Sequence, residues 1–237
     1  MKENKGVLEN EQLGALRRLN GCLLANSIET FHERLRNEGF VADTVRCLFP
    51  QLPPMVGYAA TIKIRGSAPP TAGGIYPDRS DWWDYVLSVP APRVVVVEDC
   101  ETHRGLGSLL GAVHINILHA LGCVGAITNG AVRDIPAAEA LRFPLFSGDL
   151  SVSHAYVHIV DIGGPVKIGR LNIQSGDLLH GDVHGVQSIP LDIAAQIPQV
   201  AMRIADDDEM LISLCQSPEF SLEKLRAAIA RTKHWNT

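Results

Sequence analysis

The sequence predicts an α/β fold, and three neighbouring segments carry the prediction. PRVVVVED (92–99) is a continuous β-branched run without polar alternation, the pattern of a strand covered on both faces. THRGLGSLLG then leads into GAVHINILHALG (111–122), a helix-length apolar segment closed by Gly122, a residue suited to the left-handed position past a helix end. VGAITNG (124–130) reads as a second buried strand. Strand, glycine-bearing turn, helix and strand form a βαβ unit, which pairs its strands in parallel.

The rest of the chain is built around that unit. Residues 10–39 read as helices, with apolar positions at Leu13, Leu16 and Leu19 and again at Ile28, Phe31 and Leu35. Asn20-Gly21 separates the two, and Ser27 is the expected N-cap of the second. LPP at 52–54 punctuates the chain, and GYAATIKIRG (57–66) reads as a strand. The Pro-, Gly- and Ser-rich segment 67–80 is a loop, followed by a short helix over DWWDYVLSV (81–89). Beyond the βαβ unit, PAAEAL (136–141) is a short helix with Pro136 in its first turn, and PLFSGD (144–149) a short strand. Residues 156–190 alternate as β-structure with tight turns, and 191–237 are helical and charged, with acids clustered at Asp206–Glu209. The expected organisation is an N-terminal helical segment (1–45) packed on a main α/β domain (46–195), followed by a C-terminal helical segment (196–237).

Composition narrows the partners. The 237 residues are 46% hydrophobic and 20% charged, enough for one substantial core. A net charge of −5 argues against a nucleic-acid partner. No apolar run approaches the length of a membrane span, and MKENKGVLEN has no signal-peptide core, so the expectation is a cytoplasmic protein without a membrane partner. The five cysteines are scattered and none is spaced as CxxC, which speaks against a disulfide framework or a structural zinc site.

The chemistry concentrates where strands end. In open α/β sheets, sites form beyond the carboxyl ends of parallel strands. Here those ends are Glu98-Asp99 and NGAVRD. If the two strands are neighbours, the start of the 111–122 helix and Arg133-Asp134 face one pocket. Free backbone N–H groups at a helix start suit a carboxylate, and Arg133 adds a fixed cationic fork. Asp134 can hold a divalent cation that keeps several waters, as Mg²⁺ does. The bland alternative is a surface turn or a structural ion pair.

The motif VGAITNGAVRDI, followed by FPLFSGD, resembles the central block of the RraA-like family. That family contains the class II 4-hydroxy-4-methyl-2-oxoglutarate aldolases and the regulators of ribonuclease E activity. Its pattern, roughly G-x-x-G-x-V-x-D-G-x-x-R-D, then F-P-V-F, is met by Gly122, Gly125, Gly130, Arg133, Asp134, Phe143, Pro144 and Phe146. IGRLNIQSGDLLHGDVHGVQSIP continues the match at Gly169, Gly176, Asp177, Asp182, Gly185, Val186 and Pro190, and GYAATI resembles an early G-x-A-x-T strand. The likeness covers roughly residues 50–190 in the same order and spacing.

The resemblance implies a swivelling β/β/α-type α/β fold with helical extensions at both ends. It further implies a homotrimer or hexamer with active sites between subunits. The family's metal-binding aspartate falls on Asp134 and its substrate arginine on Arg133, making these two the expected catalytic residues, with Mg²⁺ or Mn²⁺ as cofactor. The family holds the substrate carboxylate on backbone N–H groups of a G-E-L-L segment. Spacing puts that segment on Gly111, Ala112, Val113 and His114, whereas letter similarity favours GSLL, Gly107–Leu110. The chain departs from the pattern at Asn129, where the family carries an acid, at Ala112, and at Ser175 in place of proline. The aldolases also recruit an acid from the C-terminal region of a neighbouring subunit; Asp206 and Glu209 are candidates by position alone.

Other tempting residues read as structure. His114 and His119 are five apart, roughly 140° around a helix, so they do not pair on one face. His114, near the helix start, either replaces an apolar pocket residue and touches substrate or is a packing histidine. His154, His158, His180 and His184 make no zinc cluster with an acidic helper. SGD (175–177) and HGD (180–182) read as turn chemistry. Trp82-Trp83 covers the pocket or a subunit face, or, as such pairs more often do, packs into the core on one side and an interface on the other. There is no phosphate loop and no G-x-S-x-G elbow. The expected function is a divalent-metal-dependent lyase acting on a small 2-oxo acid through a pyruvate enolate, either by aldol cleavage or by oxaloacetate decarboxylation. The alternative is a non-catalytic binding protein acting through the trimer surface.

Overall fold

A computed structural model describes residues 7–41, 45–74 and 76–232. The expected parallel unit is its centre. β2 (Met55–Arg65), β3 (Arg93–Asp99), β4 (Cys123–Val132) and β5 (Leu145–Leu150) run parallel to one another in the order β5-β4-β3-β2. Antiparallel strands extend both sides. β1 (Arg46–Cys47) pairs with β5, while β9 (Leu178–Asp182) and β10 (Gly185–Ile189) continue outward from β2. β6 (His158–Ile162) pairs with the far end of β2, and β7 (Val166–Ile168) forms a separate hairpin with β8 (Leu171–Ile173).

The VVVV run is buried throughout because the sheet is covered on both faces. Val95 and Val97 join the core beneath helices α1 (Asn10–Arg17), α2 (Gly21–Glu29), α3 (Arg79–Ser88) and α4 (Ala112–Ala120). Val94 and Val96 face the other way, into a second core with Val45 beside β1, Val186 on β10 and the β7–β8 hairpin. One cluster drawing on both flanks of the sheet means that the sheet curls into a nearly closed barrel, with the hairpin filling its interior. A short α5 (Ile135–Ala140) follows β4, and beyond the strands come α6 (Ile197–Gln216), packed against α2 and α1, and α7 (Leu222–Ile229). Among the described residues no helix is long and apolar enough to cross a membrane.

Local expectations fail in two places. Asn20, not Ser27, caps α2: its side chain accepts from the Leu23 amide at 2.8 Å. Ser27 is fully buried inside the helix, and its hydroxyl donates to the Leu23 carbonyl at 2.7 Å. The helical pattern through residue 39 also breaks, because His32 takes a left-handed conformation just past α2. The chain then runs toward the sheet, where Arg34 donates to Ser188 and Phe40 bridges Gln187 on β10. The apolar periodicity is thus used only as far as α2 and Phe31, and Leu35, beyond the turn, is left exposed. The cysteines are free thiols. Burial pushes Cys123 up to about 12, in keeping with a packing role.

Candidate active site

The end of β4 and the start of α4 are zipped together by backbone. Leu110 bridges Val132 in parallel, and the Arg133 amide donates to the Leu110 carbonyl at 3.0 Å. The next residues on each segment, Gly111–His114 and Arg133-Asp134, therefore face one another. Asp134 sits at φ 57°, ψ 41°, a left-handed conformation that non-glycine residues adopt at a cost. This turn points its carboxylate back at the α4 start: Asp134 Oδ2 accepts from the Ala112 amide at 2.8 Å and lies 3.8 Å from Arg133 Nε. Gly111 makes the approach possible, since a Cβ there would fall 2.8 Å from both Arg133 Nε and Asp134 Oδ2.

The first helical hydrogen bond of α4 runs from the Ile115 amide to the Gly111 carbonyl. The Val113 and His114 amides thus belong to the first turn and have no partner within the helix. These two amides and the Arg133 guanidinium are groups of a kind that bind anions, while the Ala112 amide is committed to Asp134. The alternative segment Gly107–Leu110 is engaged elsewhere: the Ser108 amide donates to the Ser153 carbonyl and its hydroxyl to the Leu110 carbonyl, and Ser108, Leu109 and Leu110 are buried. Gly107–Leu110 thus precedes the helix and reaches Arg133 through the Leu110 carbonyl, while Gly111–His114 opens the first turn.

A further member of the site comes from a separate element. The His114 ring stacks on Trp82 of α3 with centroids 6.0 Å apart and planes 30° apart. Burial pushes the imidazole pKa below its ordinary value, and the positive charges of Arg79 and Arg133 push it further the same way. Both effects favour the neutral form of the ring. Arg79 and the fully buried Trp82 lie three apart on α3, one turn of the same face. The pattern at 79–82 holds this signal, but nothing local says which helix it meets.

The acids at the end of β3 are structural. Asp99 is buried, and its two carboxylate oxygens accept from the Glu101 and Gly105 amides. Glu98 accepts from the Lys167 amide. Asn129 explains its own departure from the expected acid. Its Oδ1 accepts from the Asp99 amide at 2.7 Å, and its Nδ2 donates to the Asp99 carbonyl at 3.2 Å. An ionised carboxylate is acceptor-only and could not make the second of these bonds. This clamp supports the loop that leads into α4.

SGD behaves as a turn, whereas HGD does not: His180, Gly181 and Asp182 are the buried last residues of β9, and only the Asp182 side chain caps backbone amides as expected. Asp177 accepts from the Gln174 amide, and Gly176 takes a φ of +88°. Asp182 accepts from the Gly21 and His184 amides, fastening the start of α2. His119 packs edge-on against Phe143 at 6.4 Å, away from any metal role. Asp206 and Glu209 are on α6, the helix that packs against α1 and α2, and both are exposed.

Among the described residues no three His, Cys, Asp or Glu side chains converge as a metal cage. Asp134 offers a single carboxylate whose Oδ1 has no protein partner among the described residues. One oxygen ligand fits a hard cation such as Mg²⁺ or Mn²⁺, which takes water and substrate oxygens for its other positions. It does not fit the three or four protein ligands of zinc.

The chain has relatives consistent with this geometry. A family model described as RraA-like, Aldolase/RraA, matches residues 24–187. A protein of Halalkalibacterium halodurans named "Putative 4-hydroxy-4-methyl-2-oxoglutarate aldolase" is 34% identical over 103 residues, 43% of this chain and 49% of that protein. The chain thus spans about half the length of that curated relative. A crystal structure described as one of the novel cellulases from microbes associated with the gut ecosystem superimposes with a TM-score of 0.73 at 21% identity, covering 89% of this chain and 91% of that one. Streptomyces coelicolor RraAS2, described as an unusual member of the RraA protein family, does so with a TM-score of 0.67 at 18% identity, covering 86% and 97%. At such identities these two structures speak to the fold alone. The family model spans most of the chain, and with it the β4–α4 junction and the Arg133-Asp134 pair: the protein belongs to the RraA-like family.

Proposed function

We propose that the protein is a divalent-cation-dependent lyase that cleaves a carbon–carbon bond of a 2-oxo acid and releases pyruvate. The observation that carries this reading is the packing of Arg133 and Asp134 against the open first turn of α4. The Val113 and His114 amides hold the substrate carboxylate, and the Arg133 fork holds the oxygen on which negative charge develops. Asp134 is the anchor for Mg²⁺ or Mn²⁺, which when bound supplies Lewis-acid polarisation of the 2-oxo group. Retro-aldol cleavage and oxaloacetate decarboxylation both leave the enolate of pyruvate, so one anion site serves both. The relative named as an aldolase supports the assignment at the level of the family.

Assembly as a trimer or hexamer is part of the same proposal. Leu150 at the end of β5, and Leu106, Val152 and Tyr156 on two loops tied together beside the β4 end, are all more than half exposed. Such an apolar rim is suited to a second copy of the chain.

A second reading has its own observation. Asp134 caps α4 and pairs with Arg133 entirely within the chain, which is what a structural turn in a non-catalytic binding protein would do. Pyruvate release separates the two. Oxaloacetate and 4-hydroxy-4-methyl-2-oxoglutarate are each incubated with the protein and Mg²⁺, Mn²⁺ or EDTA. Metal-dependent pyruvate from either compound, abolished by EDTA and by Asp134→Asn, is the expected result. No pyruvate above the uncatalysed rate from both compounds overturns the lyase reading.

A further inference from the structure

We propose that a cleft at the amino ends of the parallel strands is a second binding site, which takes a small phosphate monoester with an apolar carbon body. It lies at the opposite end of β4 from Arg133-Asp134. Val124 lines the cleft and Val132 precedes the pair, so most of the 10-residue strand, roughly 26 Å, separates the two places. The proposal is independent of the lyase reading.

Two adjoining cavities form the cleft. One, of about 280 Å³, is lined by Arg17 of α1, His119 in the last turn of α4 and Arg142 just before β5, with Phe143 beside them. The other, of about 410 Å³, is walled by Leu13, Met55, Val56 and Pro92. Arg17 and Val124 line both cavities and join them.

The basic end has no counter-charge. No Asp or Glu is among the described residues that line either cavity, in a chain whose net charge is −5. Neither arginine has a carboxylate partner among the described residues. Arg17 Nε donates to the Pro54 carbonyl at 3.0 Å, which tethers the guanidinium and leaves its two terminal nitrogens for a ligand. Arg142 takes a left-handed φ of 53° just past the end of α5, a position that glycine fills at no steric cost. An arginine there carries conformational strain of the kind found at binding sites. The His119 ring packs edge-on against Phe143, the residue next to Arg142, which sets the third donor beside the second.

Donors from α1, α4 and the approach to β5 converge from three directions. That arrangement suits a tetrahedral oxyanion better than a planar carboxylate, which a single arginine fork already satisfies. The cavity beyond Arg17 offers mainly aliphatic side chains and a proline, which favours a hydrocarbon body over a second charged group.

The probe is phenyl phosphate, titrated calorimetrically into the whole protein near neutral pH with EDTA present. Saturable binding is expected. Arg17→Gln and Arg142→Gly should each weaken it about tenfold or more, the loss of one charge-assisted contact. Arg133→Gln should leave it unchanged. Arg142→Gly also relaxes the left-handed backbone, so its melting temperature should not fall while its binding does. Inorganic phosphate and benzoate, each lacking half of the probe, should bind at least about fivefold more weakly. Four results overturn the proposal: no saturable binding, binding that survives both Arg17→Gln and Arg142→Gly, binding lost only in Arg133→Gln, or inorganic phosphate or benzoate matching the probe.

Discussion

Asp134 Oδ2 accepts a hydrogen bond from the Ala112 amide at 2.8 Å, so a residue at the end of β4 serves as the side-chain cap of α4. The helix lacks a cap of its own, because its N-cap position is Gly111. One carboxylate thus links the element that supplies Arg133 to the element that supplies the amides. The negative charge also meets the positive end of the helix.

This double duty predicts a separation of stability from activity. Asp134→Asn keeps an acceptor oxygen and tolerates the left-handed backbone, and it should retain most of the melting temperature. It should nevertheless lose the rise in melting temperature that Mg²⁺ gives the unmodified protein. Asp134→Ala removes the cap and strains the backbone, together worth about 1–3 kcal/mol and several degrees of melting temperature. Differential scanning fluorimetry of the three proteins, with and without Mg²⁺, reads both effects. An Asp134→Asn protein that still responds to Mg²⁺ would remove Asp134 from the metal site.

Gly111→Ala tests the close approach from the other side. Its φ of −125° is open to any residue, so backbone strain is not at issue. The added methyl must displace Arg133 Nε and Asp134 Oδ2, each 2.8 Å away. Binding of pyruvate or oxalate should weaken by about tenfold or more, since small misplacements at a preorganised site are costly. Titration calorimetry is the check. Unchanged affinity would mean that the pair does not form the anion site.

The range of each interaction decides how legible the site is in the sequence. Arg133-Asp134 and the α4 start are readable because a βαβ unit obliges the two strand ends to be neighbours. Placing Gly111–His114, rather than Gly107–Leu110, in the first turn rests on helix length, a local property. The Trp82–His114 contact joins residues on α3 and α4, and no periodicity in either helix names the other. Asn129 reads as a lost acid in the sequence, and only its two bonds to the Asp99 backbone give it a purpose. Ser27 misleads because α2 already begins at Gly21, so the serine lies inside the helix, and residues 30–39 mislead because their apolar spacing suits a helix but His32 turns the chain.

Asn129 gives a graded prediction. Asn129→Asp keeps the acceptor for the Asp99 amide and loses the donor to its carbonyl. Asn129→Ala loses both and leaves buried backbone groups unpaired. Each buried group left unpaired costs about 1–3 kcal/mol. Urea unfolding should therefore rank the proteins unmodified, then Asp, then Ala. Because the clamp supports the loop into α4, anion affinity should fall in the same order. An Ala variant as stable as the unmodified protein would show that the clamp is not needed.

His180 makes folding depend on pH. Its side chain is fully buried on β9, with Nε2 3.0 Å from the Leu19 carbonyl, so that nitrogen must carry a proton, while Nδ1 has no partner. Burial pushes its pKa below the ordinary imidazole value against the smaller opposing pulls of the Leu19 carbonyl and Asp182. The His114 pKa is shifted in the same direction. A base whose folded pKa is lowered binds its proton more readily in the unfolded chain. Its contribution to stability is therefore complete above the unfolded value, near 6.5, and is lost as pH falls below it. Asp182 is lowered from a carboxylate value, so its own contribution fades only at more acidic pH. Unfolding free energy from urea titrations should be level above pH 7 and decline between about pH 6.5 and 5, by at most about 1.4 kcal/mol per pH unit for each histidine. His180→Gln keeps a donor for the Leu19 carbonyl and removes the titration, so the decline should become shallower, with His114 accounting for the remainder. A slope identical in His180→Gln would assign the pH dependence to other groups and leave His180 without a part in it.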